Sequence, residues 1–307
     1  MNSVLNSTAI KPEAEIITRD RLVEDLKNLG VQTGYLYNVK ASLKSIGFVE
    51  GGAKTVIEAI LEAISPDGTL VSDSFVDAFP LPLSEKHAKI ISDRHTPSYA
   101  GAIANAMLKH PKAVCSTHPI QRFVAIGAQA EELMSQHTPE SYAYDVLRVM
   151  AESGKGRNIK IGSDDKVVGV GTTHVAIGLM KFQQKRRRCG INYRDDKGRI
   201  ITFERNWSGG CAVGFGNFNP LYEKRGAVIK TGSIGMAPGK LTDMGKTLQI
   251  ELDVLSKDPT FFFCHDPACL DCRLSWEFSK GNYLSAKFHH SKNKLKLISH
   301  KLIRRRP

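Results

Sequence analysis

Residues Val39 to Leu70, VKASLKSIGFVEGGAKTVIEAILEAISPDGTL, read as a strand end, a loop, a helix and a second strand. The β-prone run Tyr35–Leu36–Tyr37–Asn38–Val39 leads into the loop. Ser42, Ser45, Gly47, Gly51 and Gly52 then supply hydroxyls and flexible backbone. Val56, Ile57, Ile60, Leu61 and Ile64 recur at helical spacing, and Pro66–Asp67–Gly68 turns the chain into Thr69–Leu70–Val71. A serine- and glycine-rich loop feeding a helix start aims backbone N–H groups and the positive dipole end at one spot, a geometry suited to phosphate. Composition alone does not single out phosphate, because many loops before helices contain two glycines.

Outward from this unit, strands and helices keep alternating. Residues 1–17 read as a loose leader, and Arg19 to Leu29 as a helix stopped by Gly30. Leu70–Phe75 is expected as a strand and Asp77–Thr96 as an irregular region broken by Pro80 and Pro82. Tyr99–Leu108, Phe123–Met134 and Tyr142–Met150 are expected as helices. Asn158–Gly162 and Lys166–Val170 read as strands around a turn at Asp164–Asp165, and His174–Phe182 returns to helix. Later, Arg199–Glu204, Ala227–Thr231 and Phe261–Phe263 read as strands, Ser208–Gly216 is glycine-rich, and Leu241–Leu255 reads as a helix. The alternation predicts an α/β fold: a layered sandwich with a mixed central sheet flanked by helices, one large domain over residues 18–279 and a basic tail over 280–307. Trp207, Trp276 and Tyr283 read as core or interface.

A chain of 307 residues with 41% hydrophobic and 24% charged residues can bury a core of this size. No apolar run reaches about 18 residues, so no membrane insertion is expected. Residues 1–20 are polar and carry no signal-peptide core, which points to a cytoplasmic protein. The formal charge of +12 is concentrated in Lys185–Arg188 and in the tail from Lys280 to Arg306. No zinc finger, RNA-recognition motif or basic aromatic repeat accompanies it, which disfavours nucleic acid. The basic surface is either simply solvated or attracts an anionic cofactor or a nucleotide-linked substrate. No phosphate loop of nucleotide hydrolases and no nucleophile elbow of the hydrolases is present.

The Val39–Leu70 stretch resembles the opening motif of the aminoglycoside N(3)-acetyltransferase family, enzymes that move an acetyl group from acetyl-CoA to an amine. The resemblance rests on Val39, Lys40, Ala41, Ser42, Leu43, Gly47, Gly51, Gly52, Asp67, Gly68, Thr69 and Leu70, with Lys40 where the family usually has histidine. A second region, Ser116–Thr117–His118–Pro119 followed by Phe123–Gly127 and Ala130, is similar to the family's Arg-Ser-x-His-Pro segment. Cys115 stands in its arginine position and Arg122 in a serine position. A third, Gly169 to Ala176, resembles the strand and helix start that carry the family's histidine base.

From the resemblance, Lys40, Ser42, Ser45, Gly51, Gly52 and Ser116 are expected to bind CoA, and His118 and Arg122 to line the acceptor site. As a lone residue His118 is more often structural than a lining of the site, and the following proline holds it extended. His174 is expected as the base, with Thr172 or Thr173 hydrogen-bonding the developing oxyanion. Imidazole suits the task, because it can take a proton from an attacking amine near neutral pH. Ile177 occupies the position of the glutamate that would orient this ring, and Asp164, Asp165 and Glu204 are candidates to replace it. The resemblance implies acetyl-CoA as cosubstrate, an aminoglycoside or amino sugar as acceptor, and direct transfer. Drug resistance need not be the purpose; the altered Cys115, Arg122 and Ile177 lean toward an amino sugar of surface polysaccharide or metabolite synthesis. The resemblance leaves open a non-catalytic CoA- or nucleotide-sugar-binding member, and a homodimer as the assembly.

One further cluster lies outside the family pattern. Cys264, Cys269 and Cys272, with His265 beside them, have spacings that can converge on one zinc. A metal-free thiol cluster, an iron–sulfur cluster and a disulfide stay open, the last disfavoured in a reducing compartment, and a metal-dependent binding or redox protein built around Cys264–Cys272 is the third functional reading.

Overall fold

The computed structural model describes residues 15–163 and 169–281, together with Leu284 and Phe288. Asp164, Asp165, the first residues of the expected 166–170 strand, most of the leader, Tyr283 and most of the basic tail lie outside these residues. Apolar side chains at alternate positions drive the architecture. In the strand Phe123–Gly127, Phe123 and Ala125 join one core while Val124 and Ile126 join another. In Leu36–Ala41, Leu36 enters the first core, and Tyr37 and Val39 enter the second. A sheet covered on both faces is the physical result.

That sheet has seven strands in the order Val228–Ile234, Ala237–Asp243, Gly156–Ile161, Leu36–Ala41, Thr69–Asp73, Phe123–Gly127, Val114–Cys115. Leu36–Ala41 runs parallel to both its neighbours, and the remaining pairs are antiparallel, so the sheet is mixed as expected. Helices Arg19–Asn28, Gly52–Ile64 and Ala102–Leu108 cover one face through Leu22, Leu26, Val56, Ile60 and Met107. Helices Asp145–Glu152, Thr172–Leu179 and Met244–Lys257 cover the other through Leu147, Met150, Val175, Ile177 and Leu248. A smaller sheet of Phe79–Pro80, Ile91–Ser92, Cys189–Arg194 and Ile200–Glu204 stands beside it. No helix among the described residues is long and apolar enough to cross a membrane.

Three expectations are corrected. Phe123–Met134 is a strand, Phe123–Gly127, followed by a short helix, Ala130–Ser135. A run that is apolar on both faces carries no period that separates strand from helix. Leu241 belongs to the strand Ala237–Asp243, and the next helix begins at Met244, where Asp243 caps it by accepting the Lys246 N–H at 2.9 Å. Phe261–Phe263 forms no strand; its rings pack among Phe215, Phe218, Trp276 and Phe278 within a turn-rich segment.

Gly127 shows how tightly the sheet closes. Its φ is +135°, and a Cβ there would lie 2.3 Å from the Gly68 carbonyl oxygen. Gly127→Ala should therefore destabilise the fold by about 1–3 kcal/mol, read as a lower urea midpoint, because backbone on both sides must shift. An unchanged midpoint would contradict this packing.

Candidate active site

The parallel strands Leu36–Ala41, Thr69–Asp73 and Gly156–Ile161 end on one rim of the sheet, where α/β folds gather ligand-binding residues. Lys40 and Asp73 meet there: Lys40 Nζ lies 3.0 Å from Asp73 Oδ2, with both side chains largely buried. Helix Thr172–Leu179 begins over the same rim. Its cap, Gly171, has φ +88°, and a Cβ there would strike Leu147 Cδ1 at 2.7 Å and approach Lys40 Nζ at 3.6 Å. Only glycine can turn the chain at that point and let the helix start so close to Lys40.

His174 sits in the first turn of this helix. Its ring lies flat on Tyr144, with centroids 4.2 Å apart and planes 3° apart, and meets the edge of Phe215 at 4.9 Å. Tyr142 donates its hydroxyl to the His174 carbonyl at 3.0 Å and lies against Gly178, leaving no room for a side chain there. The ring's Nδ1 has no hydrogen-bond partner among the described residues. Burial first, and then the charges of Lys40, Arg205 and Arg186, push the imidazole pKa down to about 3, so the ring is neutral. Ile177 is fully buried in the core. Glu204, a candidate orienter, is taken by Arg188 at 2.6 and 2.7 Å instead.

Thr172 and Thr173 face the other way. Thr172 donates to Thr247 at 3.0 Å and Thr173 to Glu251 at 2.5 Å, both in the interior. Their hydroxyls are thus engaged in the interior, while His174 packs on Tyr144 and Phe215. Ser116, His118 and Arg122 are buried and have protein partners of their own. Ser116 accepts the Phe123 N–H at 2.9 Å and bonds His137 Nδ1 at 3.0 Å. His118 Nδ1 accepts the Gln121 N–H at 2.9 Å, and its ring stacks on His137 with Phe203 and Trp207 around it. Arg122 donates to Ser74 at 3.0 and 3.2 Å, to the Thr96 carbonyl at 2.6 Å, and to the Asp93 carbonyl. Ser116, His118 and Arg122 line a cavity of about 840 Å³ together with Arg94, Cys115 and Tyr193, and none of Lys40, Asp73, Tyr144 and His174 lines it.

Ser42 and Ser45 share a hydrogen bond of 2.8 Å at the end of the Leu36–Ala41 strand, and the Ser42 hydroxyl does not cap the short helix Leu43–Ile46. Gly51 and Gly52, with φ of +75° and +63°, bend the chain into the helix Gly52–Ile64. Gly51 lines a surface hollow with Arg19, Glu50, Lys54, Thr55 and Glu58, apart from the Lys40–His174 group. Cys264, Cys269 and Cys272 gather elsewhere, joined by Cys211, while His265 is exposed. The sequence signal for the residues around Lys40 and His174 is faint: Tyr144 and Asp73 lie in segments that carry only a helix or strand pattern, Phe215 lies in the glycine-rich run, and Arg205 lies between the Arg199–Glu204 strand pattern and that run.

The profile of the family described as Aminoglycoside 3-N-acetyltransferase matches residues 39–256, well over half of the chain. The chain belongs to the aminoglycoside 3-N-acetyltransferase family. Among relatives of that name, aminoglycoside N(3)-acetyltransferase VIII of Streptomyces fradiae is 37% identical over 134 residues, 39% of this chain and 47% of that protein. Aminoglycoside N(3)-acetyltransferase IV of Salmonella sp is 27% identical over 250 residues, 80% of this chain and 90% of the relative. The matched part thus spans about half the length of the first of these relatives. In structure, the chain is similar to AAC-IIIb in its binary complex with CoASH, with a TM-score of 0.68, 22% identity, 79% of this chain and 97% of that one covered. At that identity the likeness speaks for the fold.

The buried imidazoles make a test of the geometry. Burial, with the neighbouring His137, pushes His118 down to about 3 from an ordinary 6.5. Below pH 6.5 the unfolded ring takes a proton that the folded ring refuses, so stability is lost as pH falls from 6.5 toward 3. His118→Asn keeps an acceptor for the Gln121 N–H but removes this proton linkage. The stability cost of the substitution should therefore shrink by about 1.4 kcal/mol between roughly pH 7.5 and pH 5.5 in urea unfolding. A cost that does not change with pH would contradict a neutral, buried His118.

Proposed function

We propose that the protein is an N-acetyltransferase that moves the acetyl group of acetyl-CoA directly onto an amine of an amino sugar or aminoglycoside, with His174 as general base. The observation that carries this reading is a neutral imidazole clamped by Tyr144 and Phe215 at a helix start over the rim of the parallel strands. The amine nitrogen attacks the thioester carbonyl and its proton passes to His174; the carbon–sulfur bond then breaks, and the imidazolium returns that proton to the departing thiolate, so CoA leaves as the thiol. No enzyme-bound acyl group is needed. Membership of the family supports the reaction, and the likeness to AAC-IIIb, solved with CoASH, supports the donor. We infer that the CoA phosphates bind at the Lys40–Gly52 loop, where Ser42 and Ser45 offer hydroxyls at the end of the strand that carries Lys40.

The charges near His174 bear on the acceptor. Arg186 and Arg205 converge over Gly209, where a Cβ would meet Nη2 of each at 2.5 and 2.8 Å. With Lys40 also acting on the ring and a chain charge of +12, the site favours an amino sugar that carries a phosphate or nucleotide over a polycationic aminoglycoside. The same surroundings favour a second reading. Ile177 stands in the glutamate position, and burial and the charges of Lys40, Arg205 and Arg186 all oppose protonation of the ring. A non-catalytic member that binds CoA or a nucleotide sugar would look like this.

A thiol-release assay over amino sugars, nucleotide-linked amino sugars and aminoglycosides separates the readings. His174→Ala should lower kcat/KM roughly 100-fold or more while leaving CoA affinity nearly unchanged. Equal turnover in both proteins would reject His174 as base, and tight CoA binding with no turnover on any amine would favour the binding protein. With the ring already neutral, the acid limb of the rate should follow the pKa of the acceptor amine, rising with pH until that amine is unprotonated. In calorimetry, Ser42→Ala should weaken CoA binding; identical affinity would move the phosphates elsewhere.

A further inference from the structure

We propose that Cys211, Cys264, Cys269 and Cys272 bind one zinc ion as a four-cysteine structural site. Their sulfur atoms all lie within 4.8 Å of one another. A tetrahedron with zinc–sulfur bonds of about 2.3 Å places its sulfurs roughly 3.8 Å apart, so a small inward movement closes the site. All four are free thiols in the structure. An iron–sulfur cluster spreads its thiolates over several metal atoms and needs them further apart than a single ion does. The fourth ligand is therefore Cys211, from the glycine-rich loop, and not the exposed His265.

The surrounding backbone is built around the sulfurs. The Cys264 N–H donates to Cys272 Sγ at 3.3 Å, the kind of outer contact that steadies a thiolate ligand. Asp266 accepts the Ala268 N–H at 2.8 Å, and its carbonyl accepts the Cys269 N–H at 3.2 Å, which folds the 264–272 loop into a knuckle. Arg273 fastens that knuckle through the Cys264 carbonyl. On the other side, Gly214 presses on the same loop so closely that a Cβ would lie 2.0 Å from the Phe262 carbonyl oxygen. Two segments distant in sequence are thus held in contact where the four cysteines converge. Soft thiolates in a closed tetrahedral set select zinc over magnesium or calcium.

The site has a structural consequence for the rim. Cys211 precedes the helix Ala212–Phe215, and Phe215 is the ring that meets His174 edge-on. Phe262 packs on Phe215 with centroids 6.1 Å apart. A metal joining the two loops would fix this wall. The proposal stands apart from the acetyl-transfer reading, and its test does not use activity.

Elemental analysis of the full, untagged chain purified under reducing conditions should find about one zinc per chain. The four thiols should resist alkylation in the native protein and react after chelation, and a mercurial should release the zinc as it titrates them. Cys211→Ser should lose most of the metal, whereas His265→Ala should keep it. Less than about 0.1 zinc per chain with four freely alkylated thiols would overturn the proposal, as would stoichiometric iron or a mass two units lower per disulfide. Zinc that survives Cys211→Ser would place the metal elsewhere and equally reject it. The wild-type measurements decide the matter even if a serine variant fails to fold.

Discussion

The carboxylate of Glu251 is fully buried, where it accepts hydrogen bonds from the hydroxyls of Thr173, at 2.5 Å, and Tyr222. One turn earlier on the same helix, Thr247 takes the hydroxyl of Thr172 at 3.0 Å. These bonds set the rotation of helix Thr172–Leu179 about its own axis. Successive residues on a helix point about 100° apart, so a Thr173 committed to Glu251 leaves His174 aimed away from it, against Tyr144 and Phe215. Burial pushes the Glu251 pKa up to about 7 despite its hydroxyl donors, a sign of how much the interior resists this charge. Losing a donor would leave a buried carboxyl without compensation, which makes the rotation hard to change.

From that rotation follows the character of the site. His174 is positioned by shape, with a flat ring on one face and an edge at the other, and not by a hydrogen-bonded carboxylate. Aromatic packing can fix the angle of an imidazole, but it supplies no negative charge to an imidazolium. Lys40, Arg186 and Arg205 add positive potential instead. An anionic donor or acceptor entering the rim would offset those charges and ease proton uptake by the ring. Electrostatics of this kind couples binding of a phosphate-bearing molecule to the strength of the base.

Much of the architecture was legible in the sequence. The helices Arg19–Asn28 and Gly52–Ile64 each bury one stripe, and the strands around Leu36 and Thr69 are marked off by the serine- and glycine-rich loop and by Pro66–Asp67–Gly68. Phe123–Gly127 was misread because both its faces are buried. His174 and Lys40, the residues of the proposed site, stand in local motifs of the sequence. Ser116, His118 and Arg122 read as site residues for the same reason, yet their partners, His137, Gln121, Ser74 and Thr96, are set by tertiary contacts that no local spacing reveals. Cys211 joined Cys264 through folding alone, since the loop that carries it lies far upstream.

The central claim is that His174 is an uncharged ring whose protonation is opposed by burial and by nearby cations. Its direct measurement is the pH titration of the His174 ring by nuclear magnetic resonance in the free protein, assigned by loss of the signal in His174→Ala. The account predicts no chemical-shift change for this ring between about pH 5 and pH 8. A titration with its midpoint near the ordinary value of roughly 6.5 would contradict it.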